Sequence, residues 1–366
     1  MEEGTETMSN ERQPISGPFA WRGAELASNG RWIREFTGEE IERIARAISD
    51  YRKSGRPWRE ADRDGLPLED LDALFDDVAN ELENGLGLYR LRGFPVERYD
   101  QDAIKAFYLS FGDHLGILVS QNIEGDRINA IEDEGVNADA YGIIDDQATE
   151  GGFRSSRARA FSNAALRFHC DRCDVVGLLC ARQAKTGGHS KIASAVAIHN
   201  TMLERRPDLL EELFTDYPRS RFGEEVNDAS AHYMLPVFTS QDGKFASHYS
   251  RTYVEAAQTN PAVPRLRPAQ DEALDLLAEI AQELCYEMTL QPGDIQLLNN
   301  HVMYHARDAY QDDAASGQCR LLYRLWLAMP NSRALPESFE VLFGNIDPGA
   351  IRGGIWPPER AYQPPP

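Results

Sequence analysis

Two residues in the middle of the chain, His169 and Asp171, have the side chains and the spacing to bind one metal ion. They lie in the stretch LRFHCDRCDVVGLLCARQAKTGGHSKIAS, at positions 166–194. An imidazole and a carboxylate suit iron, manganese or zinc, and such a pair needs at least a third ligand. Downstream, LQPGDIQLLNNHVMYHARDAYQD offers two candidates for it, His301 and His305. Two histidines and one carboxylate on one face of a metal form a facial triad with open positions opposite.

The cysteines of the same stretch are weaker candidates for metal ligands. If RFHCDRCDV is a strand, His169, Asp171 and Cys173 share one face while Cys170 points to the other. A closed structural zinc site would also need a second CxxC pair or paired histidines. We therefore expect Cys170, Cys173 and Cys180 to pack as small hydrophobic residues. Five cysteines without scaffold spacing are typical of a reducing cytoplasm, which is the location we expect.

Hydrophobic periodicity indicates the elements that must position these side chains. Apolar residues recur at helical spacing in four segments, 38–53, 68–84, 100–116 and 268–285. Short β-like runs begin near His169 and return after residue 286, on both sides of a helical insertion. This order predicts an α+β fold with a mainly β core, a double-sheet barrel with flanking helices. The polar segments 124–165 and 216–265 are expected to be irregular and to form a lid or specificity wall.

The chain is predicted to form one domain. Residues 1–17 are acidic and polar and are expected to be a disordered tail. The domain is expected to span 18–335, followed by a C-terminal extension over 336–366 that ends in a proline-rich run. No internal repeat interrupts this organisation.

The net charge of −21 limits the class of partner. An acidic protein disfavours extended contact with nucleic acid or with anionic lipid. No run of 18 apolar residues predicts a transmembrane helix, and the amino terminus lacks the pattern of a secretory signal. We therefore expect a small-molecule ligand, no nucleic acid and no membrane; a homo-oligomer is compatible with this composition.

The motifs, taken in order, resemble the taurine dioxygenase-like (TauD/TfdA) family of Fe(II)- and 2-oxoglutarate-dependent oxygenases. The resemblance covers roughly 85–330 and consists of H-x-D, TGG, PGD, NN, H-x-R and R-x-x-x-R. It implies a double-stranded β-helix, the jelly-roll or cupin-like form of the double-sheet barrel. It also implies three reactants beside the substrate, namely Fe(II), 2-oxoglutarate as co-substrate and O2.

The resemblance also assigns roles to individual residues. His169, Asp171 and His305 match the iron ligands, so that His301 is expected to lie outside the ligand set. Arg320 matches the arginine that pairs with the distal carboxylate of 2-oxoglutarate, a task that suits a planar guanidinium. Ser190 matches a residue that donates its hydroxyl to the same carboxylate. Arg324 matches an arginine that anchors an anionic group of the substrate.

The implied reaction is hydroxylation or desaturation of an unactivated C–H bond, with release of succinate and CO2. The expected substrate is a small carboxylate- or amino-acid-like molecule or a specialised metabolite. The presence of Asp171 argues against halogenation, since related halogenases have a small residue at this position. Two alternatives remain at this point: a zinc-dependent hydrolase that uses the same triad, and a non-catalytic barrel that binds a ligand.

Overall fold

The computed structural model describes residues 13–135, 160–221 and 232–357. The helices are α1 Gly23–Ser28, α2 Gly38–Ser54, α3 Asp72–Asn84, α4 Gln101–Leu115, α5 Ala195–Arg205, α6 Pro207–Leu213, α7 Arg251–Gln258, α8 Pro268–Leu284 and α9 Glu340–Phe343. The strands are β1 Ile33–Glu35, β2 Leu88–Arg92, β3 Ile117–Leu118, β4 Ile128–Ile131, β5 Leu166–His169, β6 Val175–Arg182, β7 Thr186–Gly187, β8 Ser190–Ser194, β9 Tyr217–Ser220, β10 His232–Leu235, β11 Phe238–Gln241, β12 Lys244–Ser247, β13 Tyr286–Met288, β14 Ile295–Asn299, β15 Met303–Arg307, β16 Tyr310–Gln311 and β17 Leu321–Ala328.

Two sheets form the framework of the described residues. The larger has seven strands in the order β1-β2-β14-β6-β17-β3, with β4 paired to β17 beside this path. The smaller has four strands in the order β13-β8-β15-β5. In the described part of the chain these two sheets do not close into one continuous hydrogen-bonded barrel. The fold is therefore of the mixed α+β class, mainly sheet with flanking helices.

The larger sheet is buried on both faces, which explains the nearly unbroken apolar sequences of β6 and β17. On β6, Val176 and Cys180 belong to the apolar core on one face of the sheet, and Val175 and Leu179 to the core beneath α2, α3 and α4. Such a strand loses the hydrophobic–polar alternation of a half-exposed strand. Gly177 is required on β6 because a Cβ there would lie 2.6 Å from the hydroxyl oxygen of Tyr108, which is buried on α4.

Helix α2 shows how local sequence sets an element boundary. The Thr37 side chain accepts a hydrogen bond from the Glu40 amide, and the Glu40 carboxylate accepts one from the Thr37 amide. This capping box begins the helix, and Gly55 in a left-handed conformation ends it. The predicted helix over 38–53 is thus confirmed to within one residue.

Three sequence expectations differ from the structure. The segment 216–265, expected to be irregular, contains the strands β9 to β12 and the helix α7. The segment 124–165 contains β4, which pairs with β17, and its residues 136–159 lie outside the described residues. The RFHCDRCDV stretch is not one strand, because β5 ends at His169. The strands β4 and β5 pair with β17 and β15, which are distant in sequence, so local periodicity does not report their limits. The strands β9 to β12 pair with near neighbours as β9–β10 and β11–β12.

Both ends of the described chain are tied to the domain. Ile15, inside the segment expected to be a disordered tail, exchanges two backbone hydrogen bonds with the Asn200 side chain. At the other end, Phe339 and Phe343 pack in a small apolar cluster with Tyr233 and Leu235. Within the described ranges, no helix has the length and apolar character needed to cross a membrane.

Candidate metal centre and cofactor pocket

The smaller sheet brings two of the predicted metal ligands face to face. His169 is the last residue of β5 and His305 is the middle residue of β15, and these antiparallel strands pair the two directly. Their ring centroids lie 4.2 Å apart. Asp171 follows two residues after β5, where the chain has left the strand. One ligand atom from each of the three residues lies within 4.8 Å of the other two.

The carboxylate of Asp171 lies between the two imidazoles. Its Oδ1 is 3.9 Å from His169 Nε2, and its Oδ2 is 3.8 Å from His305 Nε2. Oδ1 also accepts a hydrogen bond of 3.4 Å from Arg324 Nη1. Oδ2 is buried and has no hydrogen-bond partner among the described residues. A buried carboxylate oxygen without a donor is costly, and a bound cation would satisfy it.

A backbone contact orients the imidazole of His169. A carbonyl oxygen can only accept, so His169 Nδ1 donates to the Arg167 carbonyl at 2.9 Å. The proton therefore sits on Nδ1, and the lone pair of Nε2 is free to bind a metal. Histidines that bind metals are usually oriented by such a contact from the second ring nitrogen.

The electrostatic environment keeps the three side chains in the forms that bind metals. Burial lowers the pKa of His305 to about 3, with a further contribution from His169. Burial also lowers the pKa of His169. Burial alone would raise the pKa of Asp171, but the positive charge of the neighbouring Arg324 helps to hold it below its usual value. The site thus offers two neutral imidazoles and one carboxylate, the donor set that suits Fe(II).

Asn300 fixes the turn that carries Asp171. Its side-chain oxygen accepts the Asp171 amide at 3.0 Å, and its side-chain nitrogen donates to the Cys173 carbonyl at 3.1 Å. Asn300 is the second residue of the NN motif, which precedes β15. The structure shows that this residue also holds the turn after β5, a role that sequence spacing does not reveal.

A narrow cavity continues from the metal ligands to Arg320. Its lining includes His169 and His305 at one end, together with Ser190, Arg320 and Arg324. The guanidinium of Arg320 is 7% exposed, and its Nη1 has no hydrogen-bond partner among the described residues. A buried guanidinium nitrogen without an acceptor fits the carboxylate of a ligand.

The TGG sequence and Ser190 form the wall beside Arg320. Gly188 has φ +72°, and a Cβ there would lie 3.3 Å from Arg320 Nε. Glycine therefore permits both the backbone conformation and the close approach of the guanidinium. Ser190, the first residue of β8, donates its hydroxyl to Gln296 Oε1 at 3.0 Å. The cavity thus brings the predicted serine and arginine together, although the serine is engaged with Gln296.

A second cavity lies on the other side of Asp171. Its described lining includes Asp171, Arg172, Arg324, His248 and Ile355. Arg324 borders both cavities, held by Gln121 Oε1, which accepts from its Nε at 2.8 Å. This second cavity is the candidate substrate site.

The remaining candidate ligands lie elsewhere. His301 donates from Nε2 to Asp174 at 2.7 Å and is not part of the triad. Cys170, Cys173 and Cys180 are buried free thiols, as expected.

A second cluster of possible ligands, His189, Glu287 and Asp308, lies among partly exposed residues. Lys191 Nζ is 2.7 Å from Asp308 Oδ1 and 3.8 Å from Glu287 Oε2. The ammonium group therefore already compensates one of the two negative charges of this cluster.

Comparison with known proteins identifies the family. The family model "Taurine catabolism dioxygenase TauD, TfdA family" matches residues 50–326. The chain belongs to this family. The FR-33289 synthase of Streptomyces rubellomurinus is 31% identical over 342 residues, which cover 89% of this chain and 94% of that protein. The taurine hydroxylase-like protein SAT17 of Stachybotrys chartarum is 24% identical and covers 85% of this chain and 79% of its own.

Solved structures of the same fold include two oxygenases. Asparagine oxygenase in complex with Fe(II), (2S,3S)-3-hydroxyasparagine and succinate matches with a TM-score of 0.60 and 14% identity, over 81% of this chain and 94% of that one. The non-haem iron oxygenase OrfP in complex with iron and α-ketoglutaric acid matches with a TM-score of 0.55 and 14% identity, over 81% and 93%.

Membership of the TauD/TfdA family confirms the enzyme class predicted from the motifs. The protein is a non-haem Fe(II)- and 2-oxoglutarate-dependent oxygenase that uses O2. The zinc hydrolase and the non-catalytic binding barrel are the weaker alternatives from this point.

Proposed function

We propose that His169, Asp171 and His305 bind Fe(II) and that Arg320 binds the distal carboxylate of 2-oxoglutarate. The observation that supports this most strongly is the narrow cavity that His169, His305 and Arg320 line together. Asp171 lies within reach of both histidines, and Nη1 of Arg320 has no hydrogen-bond partner among the described residues. Asp171 would use Oδ2 for the metal, because Oδ1 accepts from Arg324. Ser190 would turn its hydroxyl from Gln296 toward the same carboxylate.

The chain's own residues then have separable tasks. Bound Fe(II) would activate O2, with one oxygen atom converting 2-oxoglutarate to succinate and CO2 and the other inserted into a C–H bond of the substrate. Arg320 fixes 2-oxoglutarate along the cavity. The apolar side chains of Leu178 and Leu322 line the same cavity, beside the carbon chain of 2-oxoglutarate. Arg324 fixes an anionic group of the substrate in the second cavity, so that one C–H bond faces the metal.

The lining of the second cavity favours an anionic substrate. Its described residues include four arginines, Arg167, Arg172, Arg221 and Arg324, and one carboxylate, Asp171. Since Asp171 is a proposed iron ligand, no described carboxylate of the lining is left to bind a substrate cation. Glu255, outside the lining, pairs with Arg167 at 2.7 Å, so the other arginines of the lining would attract an anion into the site against the net charge of −21.

Within that class we propose hydroxylation of a small carboxylate-containing molecule or an anionic specialised metabolite. The name of FR-33289 synthase, the relative at 31% identity, fits a specialised metabolite as substrate. The asparagine oxygenase complex fits an amino-acid-like substrate, but its likeness at 14% identity concerns the fold. The shortage of carboxylates in the cavity favours a substrate whose recognised group is an oxyanion over one recognised by an ammonium group.

We also propose that the two sheets are the halves of a double-stranded β-helix. They share the apolar core that contains Val176, Leu298 and Leu322 from the larger sheet and Ile192 and Tyr304 from the smaller. The single-domain organisation over 18–335, a cytoplasmic location and homo-oligomer formation remain predictions.

The test is anaerobic addition of Fe(II) and then 2-oxoglutarate to metal-free protein, followed by the visible metal-to-ligand charge-transfer band. Wild type should show the band and His305→Ala should lose it. Arg320→Ala should keep the band but need about 10- to 100-fold more 2-oxoglutarate, the value of a charge-assisted hydrogen bond.

Matched controls are His189→Ala and Arg46→Ala, which remove exposed residues outside the triad and the cofactor cavity. Both should behave as wild type. A folded wild-type protein without the band would contradict the proposed site, and a zinc-dependent hydrolase assay would follow.

A further inference from the structure

The candidate substrate cavity contains an imidazole that takes no part in the proposed metal site. His248 follows β12, is 4% exposed, and borders the cavity together with Asp171, Arg172 and Arg324. A lone histidine of this kind has no motif in the sequence, and it lies in the segment expected to be irregular.

A buried arginine contacts one side of the His248 ring. Arg219, on β9, has no exposed surface, and its Nη1 lies 2.9 Å from His248 Nδ1. Its Nη2 donates to the carbonyl oxygens of Pro236 at 3.2 Å and of His248 itself at 2.8 Å. The hydrogen bonds of this guanidinium therefore hold it against the residue whose ring it contacts.

The contact with Arg219 determines the tautomer of His248. A guanidinium can donate hydrogen bonds but cannot accept them, so His248 Nδ1 must present its lone pair. A neutral imidazole carries one proton, which must then sit on Nε2. Protonation of both nitrogens would place an N–H against an N–H, and burial together with Arg219 holds the pKa of His248 well below its ordinary value.

The Nε2 side of the ring is available to a ligand. No hydrogen bond from Nε2 to a described residue is present, and Nε2 is not among the fully enclosed polar atoms without partners. The ring borders the cavity that Arg324 and Arg172 also line. Since no described residue accepts from Nε2, this donor can reach a molecule bound in the cavity.

We propose that the Nε2–H group of His248 is a fixed hydrogen-bond donor that recognises an oxyanion of the substrate, with Arg219 as its positioning residue. The oxyanion is a carboxylate or phosphoryl-type oxygen that His248 binds beside Arg324. This inference rests on the proposed function for the position of the substrate. It adds a residue that determines substrate specificity. A substrate group that can only donate hydrogen bonds, such as an ammonium group, would face the Nε2–H donor and would be disfavoured.

The first test determines the tautomer by nitrogen-15 NMR of the histidine rings in the full-length, metal-free protein. The His248→Gln variant assigns the signal. The expected result is a proton on Nε2 and a lone pair on Nδ1, unchanged from about pH 8 to about pH 6, where an ordinary histidine titrates. A proton on Nδ1, or a doubly protonated ring in that range, would overturn the inference.

The second test uses inorganic phosphate as the anionic probe and follows the same ring signals. Phosphate should shift the Nε2 resonance of His248 in wild type. His248→Phe should bind phosphate about tenfold more weakly, the effect of one lost hydrogen bond to a charged group. His248→Gln keeps an N–H near the position of Nε2 and should stay within about threefold of wild type.

The controls separate this inference from the proposed function. Both His248 variants should keep the wild-type charge-transfer band with Fe(II) and 2-oxoglutarate, which also shows that they fold. A normal band with an Nε2 signal that phosphate does not shift would overturn the role of His248 alone. Loss of the band in wild type would instead overturn the proposed metal and co-substrate site.

Discussion

At the scale of single residues, the position of Asp171 depends on a side chain that does not bind the metal. Asp171 follows β5 in a turn, where no strand pairing fixes its backbone. Asn300 provides the fixation by accepting from the Asp171 amide while donating to the Cys173 carbonyl. Asn300 is 1% exposed, so these bonds do not compete with water. Residues that orient metal ligands in this way commonly affect affinity as much as activity.

Replacement of Asn300 by Ala should therefore weaken Fe(II) binding about 10- to 100-fold, the usual cost of losing an orienting contact. Anaerobic titration with Fe(II) measures the affinity directly. The exposed Asn84→Ala variant is the matched control and should bind iron as wild type does. Wild-type iron affinity in a folded Asn300→Ala protein would show that the turn holds Asp171 without this side chain.

At the scale of elements, the carboxyl-terminal segment is hydrogen-bonded to residues around β17, the strand that carries Arg324, the proposed substrate anchor. Arg352 has no exposed surface and donates from Nε to Asp174 Oδ1 at 2.7 Å. The same oxygen accepts from His301, and Asp174 Oδ2 accepts from the Met329 amide at 2.9 Å, directly after β17. Through Ile355, this segment also borders the substrate cavity. The extension thus belongs to the structural support of the site.

Replacement of Arg352 by Met should lower the free energy of unfolding by about 3–5 kcal/mol, because Asp174 would keep a buried charge without its guanidinium. Denaturant unfolding measures this loss. The double variant Arg352→Met/Asp174→Asn should be more stable than Arg352→Met alone, since the unpaired charge is gone. The exposed Arg46→Met is the control. A double variant less stable than the single one would contradict the ionic explanation.

At the scale of the whole molecule, buried neutral histidines link folding to pH. Burial lowers the pKa of His248, His301 and His305, the last to about 3. The ordinary value is 6.5, so below that pH the unfolded chain binds protons that the folded chain excludes. The stabilisation is complete above pH 6.5 and is lost as the pH falls toward the folded pKa of each group.

The metal-free protein should therefore be less stable at about pH 5.5 than at about pH 7.5. His305, with a folded pKa of about 3, should contribute about 1.4 kcal/mol to this difference, and His248 and His301 should change the stability in the same direction. Denaturant unfolding in the presence of a chelator measures the free energy at each pH. His248→Gln should show a shallower loss than wild type. A stability that rises toward pH 5.5 would indicate that relief of repulsion among the acidic groups dominates.

Some elements and groupings could be predicted from sequence because they depend on neighbours along the chain. The limits of α2 follow from Thr37, Glu40 and Gly55, all within or beside the helix. The triad and Arg320 could be proposed from sequence because their order along the chain is that of a family. In the structure the three proposed ligands lie close together, and the two histidines line one cavity with Arg320. Strand alternation, in contrast, placed Asp171 on a strand that ends before it.

The sequence by itself determined the chemistry available to this protein: the donor types that suit iron, the arginine that suits a dicarboxylate, and the family. Tertiary structure decided how those groups are oriented. The pairing of β5 with β15 sets His169 opposite His305, although these two residues are 136 positions apart in the sequence. The contact between Arg219 and His248 likewise joins two short strand regions that showed no local pattern. Contacts between distant residues form only when burial of the core brings those segments together, so local sequence does not specify them.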